Sequence, residues 1–225
     1  LIAEALWPYP DHVVIATKGG LVPSGPGRFE RDGRPDSLRR SCEGSLRRLR
    51  LDHIDLYQLH AVDPTVPIED SVGALADLQN MGLIRHIGLS NVSVEQLTRA
   101  EMVAPIVSVQ NCYNVVDRLY DDLVSACEKN AMVFFPWFPL ARGHLSEQGS
   151  VLRRIATRKE ATTAQVALAW LLHRSPAILP IPGTNDAAHF ESNYAAVDLK
   201  LDLEDLIELD HIDLATPPLV DDPSR

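Results

Sequence analysis

The 225-residue chain has none of the usual phosphate-binding loops. No G-x-G-x-x-G follows any candidate strand and no G-x-x-x-x-G-K-[ST] occurs. The nearest approach, SGPGR at 24–28, lacks the lysine and hydroxyl that phosphate cradling needs. No histidine and cysteine cluster has metal-ligand spacing, and neither H-E-x-x-H nor an EF-hand loop is present, so no metal is expected. The three cysteines, Cys42, Cys112 and Cys127, are odd in number and form no C-x-x-C; they read as buried free thiols in a reducing compartment. There is no signal peptide and no run of eighteen apolar residues, which argues against a membrane span and makes the cytoplasm the default location. Positive charge is scarce, 21 Lys and Arg against 31 acidic residues for a formal charge of −10, so nucleic acid and anionic membranes are poor partners. The densest basic run, SLRRSCEGSLRRLR, places Leu38, Cys42, Leu46 and Leu49 at helical spacing, and its arginines read as the solvated face of an amphipathic helix. An initiator Met is also missing: LIAEALWP reads as the last turns of a helix already under way, so an upstream segment is expected.

What is present is a repeated unit. Short apolar runs recur at 12–18, 53–60, 83–91, 106–111, 132–140 and 177–183, rich in Val, Ile and aromatics and without strict alternation, as in parallel strands covered on both faces. Helical patterns separate them. Ser93 with Gln96 and Thr162 with Gln165 have capping-box spacing, Gly82 stands where a left-handed C-terminal residue is wanted, and TTAQVALAWLLHR stops before Pro176 as a largely buried helix. The segment 19–37 reads as a surface loop. Strand, loop, helix in alternation predicts an α/β fold with a parallel sheet, and the missing phosphate loops favour a barrel over an open sheet.

In a βα barrel, chemistry gathers at the carboxyl ends of the strands. Here those ends carry Lys18, His60, Ser90 with Asn91, Gln110 with Asn111, and Trp137. Taken singly, each has a structural explanation: a lysine reaching solvent, a histidine satisfied at a strand end, Ser-Asn and Gln-Asn in turns, a tryptophan in the core. Their joint placement on one face is what marks a shared site.

VVIATK, IDLYQLH, IRHIGLSN, VQNCYN, PWFPL and PIPGT, in this order and spacing, resemble the aldo-keto reductase superfamily, most of all its bacterial branch with PIPGT on the last strand. The resemblance runs from about residue 3 to 212. It implies a (β/α)₈ TIM barrel, here with family strands 3–8 in one partial domain over 1–225, and NAD(P)H-dependent reduction of an aldehyde or ketone. By position it assigns Lys18 and His60 to the active site and Ser90, Asn91 and Gln110 to the nicotinamide carboxamide. Trp137 replaces the aromatic, usually tyrosine, that stacks on the nicotinamide ring. Pro139, Leu140, Gly143 and Leu145 fall in the segment lining the pyrophosphate, and Thr184 and Asn193 around the adenosine phosphate and adenine.

The resemblance also implies a proton-donating tyrosine and an aspartate paired with the lysine, both on family elements that precede this sequence. Neither Tyr57 nor Tyr113 matches that position, so the chain by itself is expected to lack the donor. NADP(H) is the family default, and NAD(H) stays open because Gly183 and His189 stand where NADPH-preferring members often carry lysine and arginine, while Asp186 would repel a phosphate. Two other readings stand beside the reductase. One is a non-catalytic nicotinamide-binding sensor, subunit or truncated pseudoenzyme; the other is a cofactor-free barrel with a Schiff-base lysine at Lys18. A small carbonyl substrate is the expected partner; its identity and the oligomeric state are left open, with substrate choice assigned to 19–37, 141–150 and the tail ATPPLVDDPSR.

Overall fold

The computed structural model describes residues 1–141 and 150–212. The chain divides into two compact units, residues 1–109 and from Gln110 onward. No helix among the described residues is long and apolar enough to cross a membrane.

The first unit is α/β. After a short helix α1 (Ile2–Leu6), strand β1 (Ala16–Gly19) leads into a hairpin, β2 (Leu21–Gly25) and β3 (Arg28–Arg31), then helix α2 (Pro35–Leu49). Strand β4 (Ile54–Leu59), helix α3 (Ile68–Asn80), strand β5 (Ile84–Ser90), helix α4 (Val94–Glu101) and strand β6 (Ile106–Gln110) follow in strict alternation. The sheet runs in the order β1, β4, β5, β6, with β4 parallel to both β1 and β5. Leu38, Cys42 and Leu46 form the buried stripe of α2, and its arginines 39, 40, 47 and 48 face water. Proline at the first position of α2 costs no hydrogen bond, because that N–H would be unpaired anyway. Helix α3 ends at Gly82, whose φ of +74° suits a residue without Cβ and lets the chain turn straight into β5.

Segment 19–37, expected to be a loop, contains the hairpin. Gly27, at φ +66°, makes its turn, and both strands are largely exposed, so no buried apolar alternation marked them.

The second unit contains helices α5 (Asp121–Lys129), α6 (Ser150–Arg158), α7 (Thr163–Arg174), α8 (Ala187–Tyr194) and α9 (Leu203–Asp210), with short extended pieces between α5 and α6 and between α7 and α8. The expected strand 132–140 shrinks to β7 (Val133–Phe134) plus a single parallel bridge from Trp137 to Cys112. Pro136 and Pro139 bring no N–H to a ladder, and Phe138 turns to φ +53°. The expected strand 177–183 keeps one bridge, Phe134 to Ile178, before Pro180 and Pro182 end the pairing. Tyr113 is the hub of the core, edge-on to Phe134 at 5.8 Å and stacked on Trp170 at 5.9 Å. All three cysteines are buried. Both expected capping boxes are formed, at α4 and at α7, and Asp202 with Asp205 makes a third at α9.

Helices α6 and α9 are joined by ion pairs. Arg158 reaches Asp205 and Glu208, Arg154 reaches Glu208, and Lys159, which follows α6, lies 2.8 Å from both Asp202 and Asp205. The Asp202 carboxyl is held down to about 2, by the Lys159 hydrogen bond first and then by the Asp205 backbone N–H. A carboxylate with a lowered folded value stabilises fully above its ordinary range and stops doing so as pH falls through the folded value. Urea melts followed by tryptophan fluorescence should therefore show stability falling between about pH 4 and pH 2. Lys159→Met should flatten that fall.

Candidate active site

Within the first unit the parallel register brings three strand ends together. The His60 backbone N–H, one residue past β4, donates to Gly19 O at 2.8 Å, and Asn91 Nδ2, one residue past β5, donates to His60 O at 3.1 Å and to Ser90 Oγ at 3.2 Å. Asn91 does this from a left-handed conformation, φ +57°, which asparagine tolerates better than most residues. The ends of β1, β4 and β5 are thus tied in sequence, and Lys18, His60, Ser90 and Asn91 stand on them.

Lys18 and His60 are half-buried and Ser90 is buried. Burial pushes the Lys18 ammonium below its ordinary value, and no neighbouring charge among the described residues contributes to the shift. A desolvated cation of this kind can favour developing negative charge on a nearby oxygen.

Tyr57 faces the other way. A Cβ on Gly19 would lie 2.1 Å from its hydroxyl oxygen, so β1 passes the phenol closely only because residue 19 is glycine. The hydroxyl is buried without a hydrogen-bond partner, and burial pushes its pKa up, with the Cys42 thiol adding to the rise. An activated proton donor needs the opposite shift. Tyr113, buried in the second unit, donates to Asp121 and is likewise pushed up, by burial first.

In the second unit, Trp137 N donates to Asn111 O at 3.0 Å and Tyr113 N to Trp137 O at 3.3 Å, which fixes the backbone on both sides of the indole. The indole packs edge-on to Phe138 at 4.7 Å and stays partly exposed. Asn114, which the sequence left without a role, holds this turn: its Nδ2 donates to Phe138 O, and its Oδ1 accepts from the Val116 and Asp117 N–H groups. Gln110 ends β6 half-exposed, Pro139 is buried and Leu140 is half-buried. Thr184 is exposed and accepts from the Asp186 N–H; Asp186 in turn caps α8 through the His189 N–H. Asn193, on α8, lines an apolar cavity of about 290 Å³ with Leu168, Leu179 and Phe190. Gly143 and Leu145 lie outside the described residues. Among the described residues no group of three or more His, Cys, Asp and Glu could hold a metal ion.

The sequence profile described as the Aldo/keto reductase family matches residues 1–214. An uncharacterized oxidoreductase of Schizosaccharomyces pombe is 44% identical over 210 residues, a stretch that covers 93% of this chain and 68% of that protein. Pyridoxine 4-dehydrogenase of Escherichia coli is 41% identical over 218 residues, covering 94% and 76%. The crystal structure of an aldo/keto reductase from Klebsiella pneumoniae in complex with NADP and acetate matches at a TM-score of 0.80 and 28% identity, covering 96% and 75%.

The chain belongs to the aldo/keto reductase family.

Its α/β fold with a parallel sheet matches those relatives. Sequence reasoning missed Gln58, a buried amide inside the apolar β4, and its only sequence signal was a polar residue where every neighbour on the strand's core stretch is apolar.

For Tyr57 the expectation is simple. Removing a buried, unpartnered hydroxyl removes a desolvation cost of about 1–3 kcal/mol, so Tyr57→Phe should leave the unfolding free energy unchanged or raise it in denaturant melts. A loss of more than about 1 kcal/mol would show that the hydroxyl has a partner after all.

Proposed function

We propose that the protein is an NAD(P)H-dependent reductase of aldehydes or ketones, built as a (β/α)₈ barrel in which residues 1–225 form one domain corresponding to family strands 3–8. The observation that carries this reading is the half-buried Lys18 near the carboxyl end of β1, with half-buried His60 one residue past the strand paired to it and tied to Gly19 O. Family membership and the NADP-bound relative support a nicotinamide cofactor. The donor set fits one: the Ser90 hydroxyl and the Asn91 and Gln110 amides suit a carboxamide, and the half-exposed Trp137 offers an indole face for a planar ring. When bound, the nicotinamide supplies the hydride. Lys18 provides the positive field for the oxygen that gains charge, and His60 orients the substrate carbonyl. Pro139, Leu140, Gly143 and Leu145 take the pyrophosphate, and Thr184 and Asn193 the adenosine end. The proton-donating tyrosine and the aspartate that pairs with Lys18 are assigned to sequence outside residues 1–225, since burial makes Tyr57 and Tyr113 poor donors. The cytoplasm is the proposed location and a small carbonyl compound the proposed substrate.

The reading of a non-catalytic nicotinamide-binding protein or truncated pseudoenzyme has one observation in its favour, that same unsuitability of Tyr57 and Tyr113. Turnover separates the two. The protein expressed from its complete gene should consume NADPH with one or more of a panel of aldehydes, among them the aldehyde formed by oxidising pyridoxine at its 4-position. Lys18→Met should lower kcat/KM by about a hundredfold or more while NADPH still quenches the fluorescence contributed by Trp137. Quenching without turnover of any aldehyde or ketone would favour the sensor.

Cofactor choice should turn on Asp186. Its carboxyl is held below the usual range, by the His189 N–H first and then the Ala188 N–H, so a full negative charge sits at the N-terminus of α8. That charge opposes a 2′-phosphate bound there. Asp186→Ser keeps a capping oxygen and removes the charge, and the ratio of kcat/KM for NADPH over NADH should rise about two- to fivefold.

A further inference from the structure

A polar row crosses the first unit's sheet on the face turned away from α2. Lys18 on β1 is the register partner of Gln58 on β4, and Gln58 is the partner of Gly88 on β5. Directly paired residues of parallel strands project to the same face. The alternate set of β4, Tyr57 and Leu59, goes to the helix side, where Leu59 and Leu38 of α2 both approach Gly20.

Gln58 is buried in a strand whose other buried residues are Ile54, Leu56, Tyr57 and Leu59, a placement that costs free energy unless the amide is partnered. Its Nε2 donates to the buried Ser108 Oγ on β6 at 3.3 Å. The bond passes over the Gly88 position, where a Cβ would lie 2.3 Å from Ser108 Oγ and 2.8 Å from Gln58 Cγ. Glutamine, glycine and serine are therefore matched to one another, and the row they build has Lys18 at its other end. With the nitrogen donating to Ser108, the oxygen is the end of the amide not used on β6. Oxygen is the only end of the amide that an ammonium, which has donors and no acceptor, can use.

We propose that Gln58 is a positioning residue for Lys18: anchored to Ser108 across Gly88, it turns its amide oxygen toward β1 and holds the Lys18 ammonium in its charged form, through one bridging water. By register the titratable groups on this face are Lys18 on β1, His86 on β5, which is exposed and paired with Leu56 two residues before the Gln58–Gly88 pair, and His60 past the end of β4, while α2 brings Cys42 and Arg48 to Tyr57 on the opposite face. Burial is what lowers the Lys18 value, and the amide is the polar group of the row placed next to Lys18 to oppose it. Its consequence for turnover rests on the reductase reading; its effect on Lys18 does not.

The test is the pH dependence of Lys18 acylation by acetic anhydride, read by mass spectrometry of the Lys18 peptide in the full protein without cofactor or substrate. Gln58→Met keeps the length and removes the amide, and the labelling midpoint should fall by about one pH unit. Ser108→Ala, which frees the amide, should lower it by less, and Gln58→Glu should raise it. Ser108→Ala and Gln58→Glu carry the comparison if Gln58→Met does not fold. A folded Gln58→Met or Ser108→Ala protein with the wild-type midpoint would overturn the proposal, and with reductase activity intact it would overturn this proposal alone. A shifted midpoint in a protein that reduces no carbonyl compound would uphold Gln58 and sink the reductase reading.

Discussion

The register of β4 between β1 and β5 is the constraint on which the first unit depends. A slip of one residue would exchange the two faces of the strand. Tyr57 would lose the space left by Gly19, and Gln58 would meet the α2 side instead of Lys18 and Gly88. Matched sizes rather than hydrogen bonds alone hold that register. Two glycines, Gly19 and Gly88, are each occupied from the neighbouring strand, one by a phenol and one by an amide bonded to serine. The Asp55 carboxylate accepts from the Ile15 N–H and anchors the entry to β1, while His60 N on Gly19 O anchors the exit.

The second unit reaches the same end by different means. Its extended segments are short and cut by proline, so backbone pairing provides little. Side chains take over: Asn114 satisfies three backbone groups of the turn next to Trp137, Arg118 lies 4.4 Å above the Trp170 ring while donating to Leu209 O, and the α6–α9 ion pairs join two helices far apart in sequence. Where a ladder cannot form, each buried carbonyl and N–H still needs a partner, and side-chain amides and guanidinium groups provide them.

What could be read from sequence follows this division. Caps depend on residues three positions apart, so the boxes at Ser93 and Thr162 were legible. Buried parallel strands are continuous apolar runs, so β4, β5 and β6 were found nearly to the residue. The hairpin at 21–31 was not, because its exposed strands carry no burial pattern and its Pro and Gly content resembles a loop. Segment 132–140 erred in the other direction, since its aromatic content suggests a strand that its prolines forbid. Lys18, His60, Ser90 and Asn91 were legible as strand-end residues, because a strand's carboxyl end can be located without knowing its neighbours. Gln58 was not, because its meaning lies in which residues stand opposite it.

Strand β4 therefore displays two opposite treatments of a buried polar group. On the helix face the Tyr57 hydroxyl is enclosed by close packing, unpartnered and pushed toward the neutral form. On the other face the Gln58 amide is given a serine, and a glycine is kept clear to let it reach. A core that needed only volume would treat both positions alike, with apolar side chains. The expense of a satisfied amide is borne on the face that also carries Lys18, and the same parallel register delivers His60 and Asn91 to the adjoining strand ends. The face of β4 that carries Gln58 thus supplies a buried side-chain hydrogen bond between strands beside Lys18, while on the helix face Tyr57 is enclosed by packing alone.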